Sequence, residues 1–299
     1  MKNRTQPQEV KLFKNKSIIK FEGTDFQGEV GIDGRIFKAL TYAKISVGVI
    51  SQQAIENGIS VLVNANDAEK GVNALIEEFA EERKSGKVKM IYSINNVSVL
   101  GFTTEDYGSI SQELARNNIF PLILNQVASE NRVNLVVASS QDEKAKNIIE
   151  SEISGSPKTV HLALIGHGTV GKTLIEQILS SSDDILRRKN LDLKIVGVAN
   201  SKKLALNKNG FNESWQEEIL STDHPSDAQI LLKFAAENQL QNMILVDNTA
   251  SRDFVKNYPL FAENGFDIVS SNKIFNTLPI AEYRNFRKIL GKNNRKYLY

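Results

Sequence analysis

Val160-His161-Leu162-Ala163-Leu164-Ile165-Gly166-His167-Gly168-Thr169-Val170-Gly171 is the stretch that decides how the C-terminal half of this chain folds. Its first six residues are almost uniformly apolar, as in a strand buried on both faces of a parallel sheet. A G-x-G-x-x-G pattern follows at once, and Val170, Leu174, Ile175 and Ile178 then recur at helical spacing. Between strand and helix the three glycines have separate tasks. Gly166 permits a tight turn, Gly168 lets a pyrophosphate approach the backbone, and Gly171 lets helix and strand pack closely. The first helical amides, at Thr169 and Val170, add donors and a partial positive charge. The pattern alone is weak evidence. In this strand–turn–helix context it reads as a dinucleotide-binding loop of Rossmann type.

Downstream, three more apolar strands end in polar clusters. Residues 193–199 lead into Asn200-Ser201-Lys202-Lys203. An NAD site usually carries an acidic residue here to hold the ribose hydroxyls. Small polar groups and cations suit a 2′-phosphate instead, so NADP is expected over NAD, although Lys202 and Lys203 also fit an ordinary solvated loop. Residues 243–246 end in Asp247-Asn248-Thr249-Ala250-Ser251, and 266–269 in Ser270-Ser271-Asn272-Lys273. Ligands of open parallel sheets bind beyond the carboxyl ends of strands. Asn248, Thr249, Ser251 and Lys273 are therefore further candidates, with helix capping as the plainer role for Asn248 and Thr249.

Upstream, one strand–helix–strand–strand–helix pattern occurs twice. In the first copy a strand at 17–21 precedes a helix marked by Ile32, Ile36, Phe37 and Leu40. A hairpin of 45–50 and 59–63 turns at Glu56-Asn57-Gly58, and a helix capped by Asp67 carries Val72, Leu75, Ile76 and Phe79. A strand at 87–93 closes the copy. The second copy has strands at 97–102, 119–124 and 133–138, with helices around Ile110 and Leu114 and at 144–153. At an offset of about 74 residues Ile45 meets Ile119, Gln52 meets Gln126, Ala54 meets Ala128, and Glu56-Asn57 meets Glu130-Asn131. Matching polar positions favour duplication over chance. Ser154-Gly155-Ser156-Pro157 then reads as a linker. The expected organisation is a unit at 17–95, a second at 96–156, and an α/β dinucleotide-binding domain at 158–299.

Composition narrows the function classes. The 299 residues carry a net charge of +2, which argues against nucleic acid or a membrane surface as partner. There is no cysteine, so disulfides, thiolate metal sites and a cysteine nucleophile are excluded, and three scattered histidines make no metal site. No apolar run is long enough to span a bilayer, and the polar start of the chain lacks a signal-peptide core. A cytoplasmic location is the expectation.

The segments 162–171, Val198-Ala199-Asn200-Ser201-Lys202, Trp215-Gln216-Glu217-Glu218, Val246 to Ser251 and Asn272-Lys273 come in the order and spacing of homoserine dehydrogenases. The chain most resembles the bifunctional aspartokinase/homoserine dehydrogenases, in which a pair of ACT subdomains precedes the dehydrogenase. Residues 45–52 resemble the first ACT hairpin. The resemblance implies an α+β pair of ferredoxin-like ACT units followed by an α/β Rossmann domain. It implies NAD(P)-dependent interconversion of L-homoserine and L-aspartate 4-semialdehyde on the route to threonine and methionine. It places Lys273 beside nicotinamide and substrate, with Thr249 and Ser251 bordering the ring. Gln52 and Gln126 match effector-site glutamines, which makes threonine the expected effector, and the ACT units would assemble a homo-oligomer.

Three departures qualify the match. The first copy keeps Gly28 and Gly31 near the effector loop, whereas the second has Thr103-Thr104-Glu105-Asp106-Tyr107-Gly108. Only about 16 residues precede the first strand, too few for a kinase fold, and the chain ends at Tyr297-Leu298-Tyr299, where the family's substrate domain would begin. The expectation is a fragment that binds nucleotide without turnover. The rival readings are a non-enzymatic amino-acid- and nucleotide-sensing regulator, and a scaffold whose ACT strands pair edge to edge.

Overall fold

The computed structural model describes residues 9–24, 31–53 and 58–299. Contacts divide the chain into two compact units, Met1–Glu105 with Phe120–Lys146, and Asp106–Ile119 with Asn147–Tyr299.

The elements run β1 (Lys11–Gly23), α1 (Ile32–Tyr42), β2 (Ile50–Gln53), β3 (Gly58–Asn64), α2 (Ala68–Glu78), α3 (Ala80–Lys84) and β4 (Val88–Thr103). Next come α4 (Tyr107–Arg116), β5 (Ile123–Val127), β6 (Arg132–Ala138) and α5 (Asp142–Ser154). In the first unit all six strands join one antiparallel sheet in the order β2-β3-β1-β4-β6-β5. The strands expected at 87–93 and 97–102 are one strand of 16 residues, and the strand expected at 17–21 starts at Lys11. Both long strands bend at the same level. Asn15 and Asn96 adopt left-handed φ of 58° and 57°, where asparagine is among the least strained residues, and the β1–β4 register shifts beside them. Below the bend Ile18–Phe21 pair with Ile91–Ile94, and above it Lys11–Phe13 pair with Val99–Gly101. The second copy thereby takes its closing strand from the first residues of β1.

Strand ladders keep the internal repeat. Gln52 faces Ile59 across β2–β3, and Gln126 faces Val133 across β5–β6, the same pairing moved along by the repeat. Both glutamines are exposed. The hairpin strands lie further along than expected. Residues 45–49 are outside β2, although Gly48 N–H donates to the Leu62 carbonyl at 2.8 Å, and β5 begins at Ile123 rather than 119. Pro121 explains the latter, having no N–H for the ladder. Asp67 precedes α2 without capping it; its carboxylate accepts from Asn64 Nδ2 at 3.3 Å. Ala54, Glu56, Asn57 and Gly28 lie outside the described residues.

Side-chain alternation along β1 sends neighbours to opposite faces. Ile19 and Phe21 pack with Ile36 and Leu40 of α1 and with Leu75 and Phe79, whereas Ile18 joins Leu62, Val97, Val99, Ile123 and Val136. Helix α2 approaches β1 at Gly71, where a Cβ would overlap Ile19 Cδ1. Gly71→Ala is expected to lower stability by about 1 kcal/mol, overlap with the packed ends of Ile19 and Ile45 outweighing the gain in helix propensity. Urea denaturation checks this, and an unchanged midpoint would mean that these side chains yield without net cost.

The second unit contains α4, the end of α5, and then β7 (Lys158–Ile165), α6 (Thr169–Lys189), β8 (Leu191–Ala199), β9 (Leu204–Leu206), α7 (Trp215–Ser221) and α8 (Ala228–Glu237). It continues through β10 (Met243–Asp247), α9 (Tyr258–Glu263), β11 (Asp267–Ser270), α10 (Ile280–Lys292) and β12 (Tyr297–Leu298). The sheet order is β12-β11-β10-β7-β8-β9, parallel except for β9. Alternate residues of the central strand β7 feed two cores. Ala163 and Ile165 face Leu245, Tyr258 and Phe261, while Leu162 and Leu164 face Ile175, Trp215 and Ile219. Coverage on both faces accounts for the continuous apolar runs in sequence. Among the described residues no helix is long and apolar enough to cross a membrane, and no group of metal-binding side chains is found.

Candidate functional site

Four of the parallel strands of the second sheet each deliver one candidate loop to the same edge. The glycine loop follows β7, Asn200–Lys202 follow β8, Asn248–Ser251 follow β10, and Lys273 follows β11. The carboxyl edge of such a sheet is where a ligand finds several strand ends at once.

The glycine loop turns as its residues demand. Gly166 has φ of +89°, and its N–H donates to the Ala199 carbonyl at 2.8 Å, tying the turn to β8. A Cβ there would sit 2.8 Å from Thr249 Cγ2. A Cβ on Gly171 would overlap the Gly166 carbonyl oxygen, so α6 reaches this close to the end of β7 only because residue 171 is glycine. Gly168 has nothing within 4 Å of its Cβ position. It stands at the N-cap of α6 without a side-chain cap, which leaves the first amides of the helix available to an anion. Val170, at the second helical position, is exposed despite being apolar.

Two buried polar atoms flank this loop without a partner, His167 Nε2 and Asn248 Nδ2. His167 packs edge-on against Trp215 with ring centroids 5.5 Å apart, on the β8 side, while Asn248 follows β10 on the other side of β7. An unmet buried hydrogen-bonding group costs about 1–3 kcal/mol, so both are sites at which a bound polar group has something to satisfy. Together with the open Gly168 cradle they fit a dinucleotide diphosphate. His167 is not legible as a site residue in the sequence, because a histidine between two glycines carries no pattern of its own.

Asn200 is committed to its turn. Its Oδ1 accepts from the amides of Lys202 and Lys203 at 2.8 and 2.7 Å. Ser201 and Lys202 are exposed, whereas Lys203 Nζ donates to the Leu220 carbonyl at 2.7 Å and so is engaged elsewhere. Lys202 is therefore the better placed cation of the pair.

The loops after β10 and β11 are joined by a buried network. Asp247, wholly inaccessible to solvent, accepts from Thr249 N–H at 2.8 Å, from Tyr258 Oη at 2.6 Å and from Asn272 Nδ2 at 3.2 Å. Asn272 Nδ2 also reaches the Ser251 carbonyl at 3.1 Å and Thr249 Oγ1 at 3.4 Å, and its Oδ1 accepts from Ile274 N–H at 3.0 Å. Ser270 Oγ lies 2.8 Å from Tyr258 Oη and accepts from Asn272 N–H at 3.0 Å. Burial, and then the Asp247 carboxylate, push the Tyr258 phenol far above its ordinary range, so it remains a donor. Thr249 and Ser251 also serve as caps, Thr249 Oγ1 accepting from Ser251 N–H at 3.1 Å and Ser251 Oγ from Phe254 N–H at 3.1 Å. Lys273 is exposed between the buried Asn272 and half-buried Ile274.

Residues 166–299 match the family model of the homoserine dehydrogenase NAD-binding domain, and residues 19–79 match an ACT domain model. The chain is 30% identical over 293 residues to a bifunctional aspartokinase/homoserine dehydrogenase of Haemophilus influenzae, covering 95% of this chain and 36% of that protein. A counterpart in Buchnera aphidicola is 28% identical with the same coverage, and a chloroplastic one in Arabidopsis thaliana is 26% identical, covering 95% of this chain and 32% of the relative. The crystal structure of aspartokinase alpha and beta subunits aligns with half of this chain and 99% of its own at 18% identity, with a TM-score of 0.42. The chain spans about a third of the length of the curated relatives it matches. It combines an ACT domain with a nicotinamide-dinucleotide-binding domain of the homoserine dehydrogenase type.

Proposed function

We propose that this chain is the regulatory and cofactor-binding part of an aspartokinase/homoserine dehydrogenase-like enzyme, and that it binds NADP(H) at the carboxyl edge of its parallel sheet. The observation that carries the reading is the glycine loop. Gly166 and Gly171 interlock, Gly168 stays open, and the capless start of α6 faces the space between them. In this reading Gly166, Gly168, Thr169, Val170 and Gly171 hold the diphosphate. Ser201 and Lys202 meet a 2′-phosphate above the turn shaped by Asn200, Asn248 lies beside the diphosphate, and Thr249 and Ser251 border the nicotinamide. NAD is the weaker ligand.

When bound, the nicotinamide supplies hydride transfer between L-homoserine and L-aspartate 4-semialdehyde. Lys273 is the residue that would act on the reacting carbonyl, its ammonium polarising the oxygen and giving it a proton as the alcohol forms. The 299 residues span about a third of the relatives, so nucleotide binding without turnover is the expected result for them alone.

We read the first sheet as two interlocked ACT units on the strength of its doubled ladder, with exposed Gln52 and Gln126 as equivalent contacts for threonine. A glutamine amide both donates and accepts, which suits an amino acid or its hydroxyl. Association of ACT units into a homo-oligomer, and a cytoplasmic location, belong to the same reading.

Trp215 is the sole tryptophan and packs on His167 of the loop, so it reports on the site directly. NADPH is expected to quench its emission by energy transfer, and NADP to bind more tightly than NAD. Lys202→Glu should weaken NADP about tenfold while leaving NAD nearly unchanged, since it reverses one charge–phosphate contact. Absence of both quenching and binding heat with either nucleotide would defeat the reading.

A further inference from the structure

We propose that Asp247 and Tyr258 are positioning residues for the nicotinamide half of the bound cofactor, acting through Asn272 on the loops that carry Thr249, Ser251 and Lys273. The inference rests on the cofactor reading above and adds two residues that no cofactor can touch. Asp247 and Tyr258 are both fully buried, and Asn272 nearly so. Their hydrogen bonds nevertheless run outward to half-buried Thr249 and exposed Ser251.

The order of the contacts gives the argument. Asp247 ends β10, and its carboxylate fixes the next turn by accepting from Thr249 N–H. The same carboxylate orients the Asn272 carboxamide, whose NH2 group then bridges to the Ser251 carbonyl and Thr249 Oγ1. The other face of that carboxamide accepts from Ile274 N–H, so the backbone is clamped at Asn272 and Ile274, on both sides of Lys273. Tyr258 closes the network from α9 by donating to Asp247 while lying against Ser270. One buried carboxylate thus sets the separation of two strand-end loops. Nothing in the network reaches the glycine loop's Gly168 or the Asn200–Lys202 turn, where the adenosine half would lie.

That asymmetry makes the idea testable with ligand halves. Tyr258→Phe keeps the ring and removes one hydrogen bond to a buried charge. It is expected to weaken NADP roughly tenfold, and to leave 2′-phospho-ADP-ribose, which lacks the nicotinamide, at its wild-type affinity. The emission enhancement of bound NADPH should fall while quenching of Trp215 at saturation persists. Asp247→Asn is expected to give the same selective loss, and if that variant does not fold, Tyr258→Phe alone decides. The ratio of the two losses separates the alternatives, because a merely structural role weakens both ligands equally. Equal losses, or no loss with NADP, would overturn the proposal and leave the cofactor reading standing. Failure of wild type to bind either ligand would overturn both.

Discussion

Gly171→Ala is expected to weaken cofactor binding by the second unit roughly thirty- to a hundredfold while leaving the antiparallel sheet intact. The new methyl group would meet the carbonyl oxygen of Gly166, which is backbone and has no rotamer to yield. Helix α6 must then withdraw from β7, carrying with it the first-turn amides that would hold the diphosphate. Overpacking of this kind costs about 2–3 kcal/mol, and displaced amides convert that into a loss of roughly thirty- to a hundredfold in affinity. The measurement is calorimetric titration with NADP, with circular dichroism to confirm the fold. Wild-type affinity in this variant would mean that the close helix–strand approach plays no part in binding. Gly168→Ala makes a useful contrast, since its Cβ position is open and the fold should not change.

Phe275→Ala should produce the largest loss of stability in the second unit, about 3–5 kcal/mol, the usual cost of emptying an aromatic core position. Phe275 is buried at the centre of a ring cluster, stacked on Tyr258 at 5.1 Å and edge-on to Phe286 at 4.5 Å, with Tyr297 at 5.8 Å. Few single side chains join so many elements, because these neighbours come from α9, α10 and β12. Since Phe275 lies two residues beyond Lys273, its loss should also loosen the nicotinamide loop. Chemical denaturation followed by Tyr and Trp emission provides the check. A loss below 1 kcal/mol would place the core of this unit elsewhere.

What could be read from the residues differed between the two halves for physical reasons. Parallel strands buried on both faces announce themselves as apolar runs, so β7, β8, β10 and β11 were legible to within two residues, as were the polar clusters at their ends. The antiparallel half was legible in its repeat but not in its joinery. Lys11-Leu12-Phe13 is too short and too charged to be read as a strand, yet it pairs with Val99–Gly101. Hairpin positions slipped where Pro121 denied the ladder a donor. The least legible feature was the role of Asp247. In sequence it is the first of several small polar residues, and its partner Tyr258 lies eleven positions away at the start of helix α9. Only the fold brings the carboxylate, the phenol and Asn272 together. Likewise, two adjacent lysines are equivalent in sequence, and only the Leu220 carbonyl separates Lys203 from Lys202.

The bent pair of strands has a kinetic consequence. As the chain emerges during synthesis, the ladder of Ile18–Phe21 with Ile59–Leu62 can form early, across a loop of some 40 residues. Lys11–Phe13 must wait for partners about 90 residues later, holding an unpaired edge of Lys, Leu and Phe in the meantime. Refolding should therefore be biphasic in hydrogen-exchange labelling, with amides of β3 protected before those of Val99–Gly101. A slow, late-closing strand is also the place where a chaperone, or a second nascent chain, finds this protein most receptive.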